Sequence, residues 1–397
     1  MYFHFIKKTG KIKYYYITFH LEIYKTGKTM KGQWIGNYKG SDTGKALINI
    51  DDIGEAFRGV AYLVSNNASI PALVAYFQTK DKLNEFEFEV KDIYPLNPKN
   101  SLIIERDKIK ELFPDAIIPK KAVISGYYKK YEVFFNVKTD IETNIKIKVK
   151  IRYNTSKSRI KSEKLSWNDY KNKVNEFLNK NMIFRGQEKP FKLRTSFHRM
   201  GRYDFTKLIL EDLPKIHQYI SSATPHLFNL YEPVELGAFY NLIQHHGYPT
   251  PLLDWTYSPF IAAFFAFRSL PKKGKQNDKD FVRIFIFDQK DWKKHYNQIF
   301  TIERPMPHFS FIEFLPIENK RLIPQQAVTT ITNVDDIEEY ILEKEKESNS
   351  RYLYAIDIPT KERNIAMTEL AYMGITAGAM FPGLDGICEE LREKNFD

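Results

Sequence analysis

The chain has 397 residues, 43% hydrophobic and 27% charged, with 30 Phe and 25 Tyr, which suits two folded domains and excludes a disordered chain. Its 60 Lys plus Arg against 49 Asp plus Glu leave +11, a balance that favours a polyanionic partner such as nucleic acid, although solvated lysine surface produces the same surplus. The single cysteine, Cys388, excludes an internal disulfide, and no apolar run reaches the ~18 residues of a membrane span, so a soluble cytoplasmic protein without a signal peptide is expected.

Residues 1–155 read as a β-rich domain. The runs "KYYYITFHLEIY" and "FRGVAYLV" have strand composition, and "GNYKGSDTGKALINI" supplies turn glycines. In "NIKIKVKIRYN", Ile145, Ile147, Val149 and Ile151 alternate with Lys146, Lys148, Lys150 and Arg152, giving one apolar and one cationic face. Such a stripe fits either an edge strand that lysines protect from aggregation or a track for phosphates.

The polar, basic segment "NTSKSRIKSEK" (154–164) reads as a linker. Ser166, three residues before Asp169, then caps a helix. From residue 166 to 397 helical stretches ("DFTKLILEDLPKIHQYI", "VELGAFYNLIQHH", "FIAAFFAFRSL", "DDIEEYILEKEKES") mix with short strands ("NMIFRG", "VRIFIFD", "AVTTIT", "RYLYAIDI"), which makes the second domain α+β.

Two stretches stand out chemically. From Arg185 in the strand "NMIFRG" to Arg202 there are six cations, Arg185, Lys189, Lys192, Arg194, Arg199 and Arg202, against one acid, Glu188. A strand-end Arg followed by Gly suits a phosphate-bearing ligand, since the guanidinium forms a bidentate fork and Gly lets backbone approach. A solvated charged face is the other reading. The same tripeptide at Phe57-Arg58-Gly59 lacks polar neighbours in sequence and reads as coincidence.

In "QHHGYPTPLLDWTYSPFIAAFFAF" (244–267), Pro249 and Pro251 force an extended run, with Asp254 and Thr256 on one face and Leu253 and Trp255 on the other. Ser258-Pro259 looks like the cap and first turn of a helix, and Gly247 like the C′ residue of the preceding one. His245 and His246 end that preceding helix, where they could reach a phosphate or ribose; a packing unit with satisfied histidines is the competing account. A Ser258–His245–Asp254 triad lacks the G-x-S-x-G elbow, and adjacent histidines point apart, so no metal is expected. No phosphate-loop pattern is present.

Together, "FRGQ" at 184–187 and the 244–266 block resemble the FRG domain family, with "NKRLIPQQAVTTI" (319–331) and "GITAGAMFPGLDG" (374–386) resembling its later segments. The resemblance covers residues 166–391, and the region before 150 looks like a β-rich partner domain. That family is in turn similar to ADP-ribosyltransferases. The likeness implies an ADP-ribosyltransferase-like fold with NAD as substrate. Arg185, Asp254, Gln325 and Gln326 would be catalytic, the two glutamines standing where such folds carry Glu, with Glu235 a further source of negative charge. Gly186, Gln187, His245, His246, Thr256 and Ser258 would bind NAD. The implied role is a toxin or anti-phage effector with RNA as acceptor, bound through Lys146, Lys148, Lys150 and Arg152, and with a possible neutralising antitoxin protein. A NAD glycohydrolase, or a non-enzymatic nucleotide- or partner-binding sensor, is the alternative.

Overall fold

The structure is a computed structural model that describes residues 29–97, 100–151, 155–177, 180–271 and 280–396. The strand expected at "KYYYITFHLEIY" and the cation Arg152 lie outside the described residues.

Among the described residues, nine antiparallel strands form the first unit: β1 Gly32–Gly40, β2 Gly44–Asp52, β3 Phe57–Ser65, β4 Ala72–Gln78, β5 Glu85–Val90, β6 Ile93–Leu96, β7 Ala122–Lys129, β8 Glu132–Thr139 and β9 Asn144–Ile151. Their order, β5-β7-β8-β9-β1-β2-β3-β4-β6, is that of a nearly closed barrel. Phe77 of β4 stacks on Phe88 of β5 at 5.2 Å and draws the two flanks of the sheet together. The interior is filled by alternate residues such as Trp34, Ile48, Phe57, Val133, Phe135, Ile147 and Val149.

The edge-strand reading of the lysine stripe is overturned. β9 lies between β8 and β1 and pairs along its length with both. Lys146, Lys148 and Lys150 are exposed because they alternate with residues that fill the barrel, not because their strand lacks a neighbour.

Among the described residues, seven strands form the second sheet: β10 Ser162–Lys164, β11 Met182–Gln187, β12 Leu252–Thr256, β13 Phe281–Asp288, β14 Phe309–Ile312, β15 Ala327–Thr332 and β16 Leu353–Pro359. The order is β10-β16-β13-β11-β12-β15-β14, with only β10–β16 parallel. The fold is thus α+β, a barrel followed by a helix-covered sheet. The helices Trp167–Val174, Pro259–Phe267 and Arg363–Tyr372 cover one face, while Trp292, Ile337 and Ile341 pack on the other. Residues 155–164 of the segment expected to be a linker are structured instead. Ser158 and the Arg159 amide are held by Glu338, and Ser162–Lys164 adds β10 beside β16.

The two units are joined by polar contacts, some buried and some part-exposed. Gln33 of β1 donates to the Asn333 carbonyl at 2.7 Å and accepts from the Asp335 amide at 2.9 Å. Asp51 of β2 accepts from the Tyr203 amide at 2.6 Å and from Arg202 Nε at 2.8 Å. Arg58, in the tripeptide read as coincidence, pairs with Asp204 at 2.9 Å and Glu211 at 2.9 Å. Its partners are distant in sequence, so its neighbours along the chain give no sign of them.

Candidate ligand-binding site

Alternation along β11 sends Met182, Phe184 and Gly186 toward the Pro259–Phe267 helix and Ile183 and Arg185 to the opposite face. Gly186 was expected to offer backbone to a ligand, but the structure shows another use. A Cβ there would lie 1.8 Å from the Ala262 carbonyl oxygen, so the missing side chain lets helix and strand touch.

β12 is the proline-stiffened run. Pro249 and Pro251 have no N–H to donate, and the Thr250 amide and carbonyl between them are sewn to Ser196 Oγ at 3.0 and 3.2 Å. Ser258 caps the following helix by accepting from the Ile261 amide, and Gly247 takes φ +89° after the preceding helix, both as expected.

β11 and β12 pair only at Phe184 and Thr256. In the notch beyond that bridge, Arg185 Nη1 donates to the Asp254 backbone carbonyl at 2.5 Å. A cavity of ≈ 310 Å³ lies here, lined by Arg185, Ser196, Arg199, Gln244, Tyr248 and Asp254 with Gly247, Leu252 and Leu253. Arg185 and Asp254 come from neighbouring strands.

The polar groups are arranged with some care. Gln244, near the end of the Pro233–His245 helix, donates to both Asp254 carboxylate oxygens at 2.7 and 2.7 Å. Thr250 donates to the Gln244 side-chain carbonyl and so fixes which way the amide points. A neutral amide therefore holds the carboxylate, and the guanidiniums spend their hydrogen bonds on backbone: Arg185 on Asp254, Arg199 on Arg194 at 2.7 Å. Arg185 Nε is buried with no partner among the described residues. Burial pushes the Arg185 guanidinium down to about 10 even beside Asp254, and Arg199 adds to the fall. Burial likewise lowers Arg199, with Arg194 contributing and Asp254 opposing. Two desolvated cations against one carboxylate make a site that gains by taking an anion.

Three others of the cationic run have structural partners, while Lys189 is exposed. Lys192 pairs with Asp336 at 2.6 Å, Arg194 with Asp335 at 2.5 Å, and Arg202 with Asp51 and Asp212. Sequence reasoning counted Arg199 only as part of the run and passed over Gln244, Ser196 and Tyr248. The Gln244 side chain sits one turn before Gly247, and its spacing to Thr250 and Asp254 was its only trace in the sequence.

The other expected residues lie outside this lining. Thr256 Oγ1 donates to the Gln325 carbonyl at 2.8 Å and accepts from the Ser258 amide at 3.1 Å. The Gln325 amide is committed to the Met380 carbonyl at 2.9 Å. Gln326, exposed at φ +45°, lines a different cavity of ≈ 410 Å³ with Tyr257 and Ile323. His245 Nδ1 accepts from Asn319, His246 is exposed at the helix end, and Gln187 lies opposite Arg283 in the ladder. Glu235 is occupied by His226 and the Asn229 amide.

A redesigned beta barrel of known structure is similar to 31% of this chain and 91% of its own, at 7% identity and a TM-score of 0.22. No curated protein matches the chain. The notch, its arginines, Gln244 and Asp254 all fall within residues 180–275, which match the family model of the FRG domain; the chain carries an FRG domain in its C-terminal half.

Proposed function

We propose that the cavity binds the phosphate and ribose groups of NAD and that the FRG domain is an ADP-ribosyltransferase. The observation that carries this reading is the buried Arg185 guanidinium, its Nε without a protein partner, beside a carboxylate held in place by Gln244. In that chemistry the bond between nicotinamide and ribose C1′ breaks and nicotinamide leaves with the electron pair. The resulting oxocarbenium-like cation is captured by an acceptor nucleophile whose proton passes to a base. The demands on the protein are positioning and negative charge near the ribose. Arg185 and Arg199 would anchor the diphosphate, and Asp254 would face the developing cation and take the proton. An ADP-ribosyltransferase-like architecture is part of this proposal, supported by the likeness of the strand-end Arg-Gly and the strand-to-helix block to that fold.

The test is nicotinamide release from labelled NAD, with and without added RNA. Wild type is expected to release it, with Arg185→Ala and Asp254→Asn each slower by about 10²–10³-fold. Release of free ADP-ribose without conjugation would mark a NAD glycohydrolase. No release under any of these conditions would overturn the enzyme.

A second reading is favoured by two observations: the Gln325 side chain is committed to backbone outside the cavity, and ≈ 310 Å³ is at the small end of ligand pockets. On that reading the domain binds a nucleotide as a signal and does no chemistry. Binding of ADP-ribose without turnover of NAD would select it.

A further inference from the structure

The barrel presents a second constellation, far along the chain from the cavity residues. Lys146, Lys148 and Lys150 of β9 share their outward face with Lys39 of β1 and Lys138 of β8, and all five are exposed. The register sets them in rows: Lys146 opposite Lys39 on one side and Asn136 on the other, Lys148 opposite Phe134, Lys150 opposite Glu132. Successive lysines on β9 are thus about 7 Å apart along the strand. Glu132 is the acid within this field, 3.2 Å from Lys148 Nζ and 3.4 Å from Lys150 Nζ, so the patch keeps a clear positive excess. Glu85, Glu87 and Glu89 of β5 lie exposed beyond β7, Glu85 directly opposite Tyr127, and bound the cationic area on that side.

Lysines alone would describe a solvated face. The row through Phe134 adds something a solvated face does not need. Tyr127 of β7 is opposite Phe134, 45% exposed, and the two rings stack at 4.8 Å and 23°. Lys148 Nζ lies 5.1 Å from the Phe134 ring centre. The exposed Tyr127 ring, backed by the half-buried Phe134 and beside a row of cations, is the platform that an unpaired base and its phosphates require. Bases stack on rings irrespective of sequence, and the backbone follows the charge. A duplex hides its base faces and leaves the platform unused, and an anionic membrane makes no use of a stacked pair.

We propose that the outward face of β7, β8, β9 and β1 binds single-stranded nucleic acid, with a base on Tyr127–Phe134 and phosphates on Lys138, Lys146, Lys148 and Lys150. In the ADP-ribosyltransferase reading this strand is the acceptor, and that role rests on the reading. The binding itself does not, so it is measured without NAD.

The experiment titrates the full chain with fluorescently labelled single-stranded RNA of about 16 nucleotides, a duplex of equal length, and phosphatidylserine vesicles, over a range of salt. Preference for the single strand is expected. Replacing Lys146, Lys148 and Lys150 together by Gln is expected to flatten the salt dependence of log K by about 2. Tyr127→Ala is expected to weaken binding by about 5- to 150-fold, and Tyr127→Phe, which keeps the ring, to bind as wild type. The variants are outward-facing, and unchanged thermal unfolding would confirm that they fold. Equal binding of the duplex or preference for vesicles would overturn the proposal. So would an unaffected triple variant, or a Tyr127→Ala that binds as well as wild type.

Discussion

A guanidinium taken out of water has to be compensated, and Arg185 is compensated only in part. One Nη bonds a carbonyl, Nε bonds nothing, and the nearest carboxylate is held by Gln244. A protein selected for stability alone would do better with an apolar side chain of similar size at this position. The next residue makes the contrast clear. Gly186 serves packing, since any Cβ would meet the Ala262 carbonyl at 1.8 Å and the Ala266 amide nitrogen at 2.8 Å. Gly186→Ala is therefore expected to lower stability by about 3 kcal/mol or more, read from denaturant unfolding. A change near zero would mean that the helix does not lie this close to the strand.

At the scale of elements, what could be read from the chain was local. Period-two alternation located β9, the short apolar run "NMIFRG" located β11, the prolines fixed β12 as extended, and Ser258-Pro259 began the Pro259–Phe267 helix. Alternation reports the two faces of a strand but not its neighbours, so the lysine stripe could be mistaken for an edge when it is central. The candidate site was legible to the same extent. Arg185 and Asp254 were visible because each belongs to a conspicuous local pattern, and they do meet in one cavity. Gln244 and Arg199 join them through a helix end and a four-residue helix whose positions depend on tertiary packing. Gln325 lies near Asp254 in sheet order, just before β15, but its amide turns to the Met380 carbonyl, a partner 55 residues away in sequence.

For the whole molecule, the main consequence is that the barrel and the FRG domain are wired together next to the cavity. Asp51 of the barrel holds the Tyr203 amide, the Tyr203 hydroxyl accepts from Arg194 at 2.9 Å, and the Arg194 carbonyl accepts from Arg199 in the cavity wall. Asp51→Ala removes the acceptor for two backbone amides and for Arg202. It is expected to cost about 2–4 kcal/mol of stability and, unlike an ordinary destabilising change in the barrel, to weaken ligand binding in the cavity. Denaturant unfolding and ligand titration of the same preparation check both. Loss of stability with unchanged binding would mean that the chain of contacts transmits nothing.

The most direct measurement of the central claim is a calorimetric titration of the full chain with ADP-ribose, comparing wild type with Arg185→Met. Saturable binding to wild type is expected, weakened by about 10- to 150-fold in the variant, the worth of a charge-assisted hydrogen bond. Met deletes the partnerless Nε but also the Nη1 bond to the Asp254 carbonyl, so the variant is expected to keep its stability within about 1.5 kcal/mol of wild type. Absence of binding to wild type, or equal binding by Arg185→Met, would contradict the assignment of this notch as the ligand site.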